Sequence, residues 1–313
     1  MLSRVADSMF WMNRYMERAE GLLRVLYTNY VLSLDKGPYG VHSWKPVLEN
    51  FSSLSSEELK NIQYSTPETL KYLILNRSNS NSLRSVINKA RENARGMQDH
   101  ITKEVWEEVN LMYHTVNEPG LEKKLSGADA LPKLDHLLKL CLTYVGVIDT
   151  TMPRGMGWNF MNLGRLIERA VVTTDVTYKQ FEQIDFDLDD HKDILYWRNL
   201  LLSLSGYELH MKNYQGSSTN MNVLHQSIFN HHFPRSVVYA LSRTEKYLTE
   251  VLEENEPPQK KMIYREFGRI NSRVKFADES SIKQVTLQRF LQDTKQDLLK
   301  FSHVLGQQFF SYA

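Results

Sequence analysis

Apolar residues three, four and seven positions apart recur through long windows of this chain, whereas alternation with a period of two is confined to a few short runs. That periodicity predicts an all-α protein. Interruptions are sparse: 14 glycines and 9 prolines in 313 residues, gathered mainly at "KGPYG" 36–40, "NEPG" 117–120, "MPRGMG" 152–157, "YQGSS" 214–218 and "NEPPQ" 255–259. Between them the spacing predicts helices over 3–34, 43–53, 57–63, 66–76, 81–115, 128–150, 157–184, 190–213, 219–229, 233–254, 259–275 and 280–311. The acidic run "DFDLDDHKD" 185–193 reads as a solvated loop leading to a helix N-terminus, where negative charge is favoured.

A spelling repeats within this pattern. "RYMERA" at 14–19 returns as "RLIERA" at 165–170, a displacement of 151 residues. "LRSV" at 83–86 returns as "PRSV" at 234–237 with the same displacement, and Trp44 finds Trp197 153 residues on. Matches in one order at nearly one offset indicate a duplicated helical unit, 1–150 and 151–313. The expected architecture is a helical bundle of two sequence-related repeats packed around a shared core, since a self-complementary surface can pack on its own duplicate.

Helical geometry then makes the repeated motif costly. At 100° per residue Val5, Met9, Met12, Met16, Ala19, Leu23, Leu26 and Tyr30 share one stripe, and Arg14 lies opposite with Glu17 and Arg18 beside it. Phe10, Trp11 and Val25 also occupy that second side, so the helix is apolar nearly all round and is expected to be buried. A buried charge left alone costs about 3–5 kcal/mol, so Arg14 and Glu17 must be satisfied. The second copy repeats the problem with Arg165, Glu168 and Arg169 beside Trp158, Phe160 and Met161. Two arginines per glutamate leave one positive charge over in each copy. Two readings stay open: an internal salt-bridge network, or an anion site at the repeat interface in which guanidinium groups hold a carboxylate or phosphate.

Further arginines accompany the second motif. Leu83, Ile87, Ala90, Ala94, Met97, Ile101 and Val105 form a narrow seam, with Arg84, Arg91 and Arg95 projecting together to one side. They read either as a helix flank paired with Glu92, Asp99 and Glu104 or as part of the same polar centre. Arg84, Ser85, Arg235 and Ser236 sit at expected helix starts, where free N–H groups favour anions, although capping explains the serines equally well.

Other chemistries lack their residues. A di-iron bundle needs Glu-x-x-His, but Glu20 follows Glu17 and Val171 follows Glu168 at that spacing. His225, His231 and His232 read as solvent-facing or capping groups, and no metal or cofactor is expected. HExxH, the P-loop and the dinucleotide glycine fingerprint are absent from the sequence. With 38 Lys and Arg against 37 Asp and Glu, no nucleic-acid or anionic-membrane partner is implied. A lone cysteine, Cys141 in an apolar run, excludes an intramolecular disulfide and reads as core. Without an apolar segment of ~18 residues, the expectation is a soluble cytoplasmic protein.

The segments "MLSRVADSMFWMNRYMERAEGLLRVL", "SLRSVINKARENARGMQDHITKEVWEEVN", "WRNLLLSLSGYELHMKNY", "FPRSVVYAL" and "GRLIERA" together resemble the bacterial alpha-E family, a helical domain of unknown function. The resemblance runs over essentially the whole chain. The positions that carry it are Ser3, Arg4, Trp11, Arg14, Glu17, Arg18, Arg84, Ser85, Arg91, Glu92, Arg95, Glu104, Trp106, Arg165, Glu168, Arg169, Arg235 and Ser236; Asn13 departs from it, standing where Gly164 stands in the second copy. It implies a setting beside a circularly permuted ATP-grasp-like peptide ligase and often a transglutaminase-like peptidase, with a small anionic or peptide ligand. The expected function is an accessory protein binding substrate, product or the ligase itself. The alternatives are an enzyme using Glu17 or Glu168 as general acid or base, and a structural protein that assembles as a homo-oligomer.

Overall fold

The computed structural model describes residues 3–35, 42–190, 192–214, 216, 219–254 and 260–310, apart from the side chains of 283 and 284. All regular structure among the described residues is helical. None of these helices is long and apolar enough to cross a membrane. The joints "KGPYG" and "NEPPQ" lie outside the described residues.

The chain divides into two compact units, one of residues 11–153 and one of residues 154–310 together with 3–10. The 33-residue helix α1 (Ser3–Asp35) supplies residues to both. The first unit continues with α2 (Lys45–Phe51), α3 (Ser56–Ile62), α4 (Thr66–Leu75), α5 (Leu83–Gly96), a 3-10 turn at Gln98–His100, α6 (Lys103–Val116), α7 (Leu121–Leu125) and α8 (Ala130–Thr151). Here α6 packs against both α5 and α8, and α4 lies against α2, α3, α5 and α7.

The second unit holds α9 (Met156–Glu182), α10 (Ile194–Ser203), α11 (Tyr207–Asn213), α12 (Thr219–Leu224) running into a π-helical turn at His225–Phe229, α13 (Val237–Glu254), α14 (Lys260–Lys275), α15 (Glu279–Val285) and α16 (Leu287–Phe309). Its centre is α9, packed on α13 and α16. Aromatic rings close one end of this core: Phe10 lies 5.2 Å from Phe310, and Phe160 lies 5.4 and 5.6 Å from Phe309 and Phe310. Cys141 is buried beside Met112, Sγ to Sδ 3.9 Å.

Three expected helices are broken. The seam over 81–115 ends at Gly96, and the chain turns through the 3-10 segment before α6 restarts at the Thr102 cap, whose hydroxyl accepts from Val105 N at 3.4 Å. Period-3.6 patterning persists through a turn whose apolar residues still face the same core, which is why Met97 remains buried there. The span 190–213 is divided between α10 and α11 by Ser205 in the left-handed region at φ 54°, followed by Gly206. The span 280–311 is divided at Thr286, φ 70°, whose hydroxyl caps α16. The short α7, begun at Gly120 with φ +81°, lies where the sequence indicated only a joint.

Candidate functional site

In the first unit, α1 is covered nearly all round, from Met12, Met16, Leu22 and Leu23 to Val25 and Leu26. Arg14 and Glu17 are correspondingly buried at 3% and 4% exposure. The Arg14 guanidinium lies 4.8 Å from the Trp11 ring centre, so an aromatic face takes part of its charge. Arg18 is half-buried; it lies 6.0 Å over Tyr15 and donates from Nη1 to Asn81 Oδ1 at 3.1 Å. Asn81 immediately precedes Ser82, whose hydroxyl caps α5 by accepting from Ser85 N at 3.3 Å. The motif arginine therefore holds the lead-in to the helix that carries the second motif.

Two further polar positions on α1 are buried and paired. Glu20, buried at 2%, accepts from Arg24 at 2.7 Å, an i, i+4 pair that the spacing would have yielded. Asn13, in place of the expected glycine, is buried and accepts from the Tyr144 hydroxyl of α8 at 3.3 Å.

The second unit builds the same relationship on α9. Glu168 is buried at 1%, and Arg165 donates to Asn162 Oδ1 at 2.7 Å. Arg169 donates from Nη1 to the Pro234 carbonyl at 3.4 Å, and the Thr173 hydroxyl donates to the Arg235 carbonyl at 2.9 Å. Both acceptors lie just before Ser236, which stands at the start of α13, donates its own hydroxyl to Asn230 O at 2.6 Å and accepts from Tyr239 N at 3.1 Å. Ser236 is thus a cap, whereas Ser85 lies inside the first turn of α5; the two "RSV" copies are one helical turn out of step. Asp175, two turns beyond Glu168, pairs with Lys295 of α16 at 2.7 Å. Burial, with Glu168 adding to it, raises the Asp175 carboxyl above its ordinary value against the pull of Lys295. This pair was not legible in the sequence, because the partners are far apart along the chain.

Of the three aligned arginines of α5, Arg91 and Arg95 share Glu92, which lies 3.5 Å from Arg91. Arg84 donates from Nε and Nη2 to the Val116 carbonyl at 3.2 and 3.1 Å, and from Nη1 to the Leu75 carbonyl at 3.4 Å. It thereby sits at the C-terminal ends of both α6 and α4, where a cation is favoured. Arg91 donates to Asn110 Oδ1 at 2.7 Å and lies 4.4 Å over Tyr113 and 5.7 Å over Trp106. Arg95, on the exposed side, pairs with Glu92 at 2.6 Å; Glu104 is exposed.

Histidines gather elsewhere, around the π-helical turn. His210, buried at 3%, shares a 2.8 Å hydrogen bond between Nδ1 and Gln226 Oε1, while Gln226 donates to the Gly206 carbonyl at 2.7 Å. His225 Nδ1 lies 2.8 Å from the Tyr214 hydroxyl, which also accepts from Asn230 Nδ2 at 2.8 Å. His231 and His232 are exposed. Among the described residues no three His, Cys, Asp or Glu side chains converge to hold a metal ion.

Comparison with known proteins places these features in a family. Residues 1–310 match Alpha-E, described as "a predicted alpha-helical domain with a conserved ER motif", and the Glu17-Arg18 and Glu168-Arg169 pairs are the two ER dipeptides built into buried helices above. An uncharacterized protein of Mycobacterium bovis and another of Mycobacterium tuberculosis strain CDC 1551 / Oshkosh are each 23% identical over 262 residues, 77% of this chain. The chain spans 29% of the length of these relatives. No solved structure matches. The match over nearly its full length establishes that the chain belongs to the Alpha-E family.

Proposed function

We propose that this Alpha-E chain is an accessory binding protein made of two duplicated helical units, working with an ATP-grasp-like peptide ligase by holding an anionic substrate, its product or the ligase itself. The observation that carries it is that the ER arginine of each unit, Arg18 or Arg169, is half-buried and docks on the lead-in to the unit's RSV-bearing helix. Glu17 and Glu168 are too deeply covered to meet a substrate readily, and covered carboxylates suit the holding of arginines. Partly accessible guanidinium groups suit an anion.

Duplication is supported by more than spelling. Among the described residues, eight α-helices from α1 to α8 are followed by eight from α9 to α16, with the long signature helix first in each series. The fully buried Trp44 donates its indole N–H to Thr66 at the start of α4, and Trp197 donates to Asn220 at the start of α12, at 3.0 and 2.9 Å. The ER arginines reach Asn81 and Pro234, each within two residues of the serine that caps the following helix.

The test is the rate of peptide-bond formation by the neighbouring ligase with and without this chain, and with an Arg18→Lys, Arg169→Lys variant that keeps the charge. Stimulation by the wild type and its loss in the variant support the reading. An unchanged rate, with no complex in sedimentation of the two purified proteins, overturns it.

A further inference from the structure

A cleft of about 480 Å³ opens in the first unit, between α4, the start of α5 and the turn joining α6 to α7. Its size lies in the range of small-ligand sites. None of Arg14, Glu17 or Arg18 lines it, so it is separate from the ER motif.

The charges around this cleft do not pair one to one. Lys71 makes ion pairs with both Glu68 and Glu122, at 3.1 and 3.2 Å, so two carboxylates share one ammonium group. Glu118 is shared by Lys133 and Lys124, at 2.7 and 3.1 Å, and so has no charge to spare for Arg84. Arg84, in contrast, has no carboxylate within ion-pair distance among the described residues; its partners are the two helix-end carbonyls. These occupy three of the five N–H donors a guanidinium carries. Burial and the nearby Arg77 make its charge less favourable than in water, and Glu122 offsets this only from a distance.

The remaining lining completes a recognisable shape. Tyr72 presents a hydroxyl that makes no protein hydrogen bond among the described residues, and burial keeps this phenol protonated, hence a donor. Leu75, Leu121 and Ile62 supply apolar wall. A cation without a carboxylate partner and a phenol donor therefore line the same cleft as a surplus carboxylate, with apolar wall beside them.

We propose that this cleft binds a small zwitterion, an amino acid or short peptide with both termini free. The carboxylate is held by Arg84 and the Tyr72 hydroxyl, the ammonium by the Glu68 and Glu122 pair, and the side chain rests on Leu75 and Leu121. The inference does not depend on the ligase reading.

The test is titration of the full chain with L-alanyl-L-alanine, followed by calorimetry and by the tyrosine signals in NMR, beside the N-acetylated and the C-amidated dipeptide. The free dipeptide saturates, and each capped form binds about tenfold more weakly, as expected for loss of a charge-assisted contact. Glu122→Gln alters a side chain that is 67% exposed and makes no contribution to the core, so it keeps the unfolding midpoint while weakening the free dipeptide about threefold. Absence of saturation by the free dipeptide at about 20 mM, or equal binding of free and capped forms, overturns the proposal. Because the cleft contains no ER residue, such a result leaves the ligase reading untouched.

Discussion

Arg18 of the ER motif hydrogen-bonds Asn81, 63 residues away, at the residue that precedes the cap of α5. The contact links the two most distinctive segments of the sequence inside one unit. A hydrogen bond from a partly buried charged donor contributes about 1.5–3 kcal/mol. Replacing Arg18 by Ala lowers the urea-unfolding free energy by about that amount. In a double-mutant cycle Asn81→Ala costs less in the Arg18→Ala background than in the wild type. Additive losses would show that the two residues act independently.

Gly206 lies where no larger residue fits. A Cβ there would come within 2.8 Å of Phe233 Cζ and would press on the Gln226 side chain, which donates to the Gly206 carbonyl. Phe233 and Gln226 are both buried and cannot swing away. Gly206→Ala is expected to cost about 1–3 kcal/mol by overpacking, read as a lower thermal midpoint.

His210 makes stability depend on pH. Burial lowers its proton affinity in the folded protein, with the Gln226 hydrogen bond opposing. Below the ordinary imidazole value of about 6.5 the unfolded chain therefore takes up more protons than the folded one, and stability falls as pH falls. His225 contributes in the same direction, through burial first and His231 second. A His210→Gln, His225→Gln variant loses less stability than the wild type between pH 7.5 and 5.5 in chemical denaturation; parallel losses would exclude this origin.

Glu108 of α6 has the opposite sign. Its Oε2 is buried without a hydrogen-bond partner, and burial, followed by Glu107, raises its carboxyl above the ordinary value of 4.5. The folded state then holds this proton more tightly, so the stabilisation is present below pH 4.5 and is lost as pH rises through the elevated value. Glu108→Gln shifts the unfolding midpoint upward at pH 7, and the two curves converge near pH 4.

The burial of Arg14, Glu17 and Glu168 was legible in the sequence because apolar residues surround them on every side of their own helices, and helical angle is a local property. The partners were not legible. Arg84, Arg91 and Arg95 align on α5 as the spacing requires, yet Arg84 meets helix-end carbonyls, Arg91 an asparagine and two rings as well as Glu92, and Arg95 the same Glu92 on the exposed side. Their common direction leads to three environments at successive heights along the helix.

What the sequence by itself determined is the helical class, the covered signature helices and the positions of the two ER motifs, since each follows from residues within a few turns of one another. Tertiary structure alone decided that 81–115 folds back at Gly96, that Arg84 lies against the helix ends at Leu75 and Val116, and that Asn81 receives Arg18. Those outcomes depend on which helix packs opposite, a choice made by the summed burial of the whole unit and invisible to any period of 3.6.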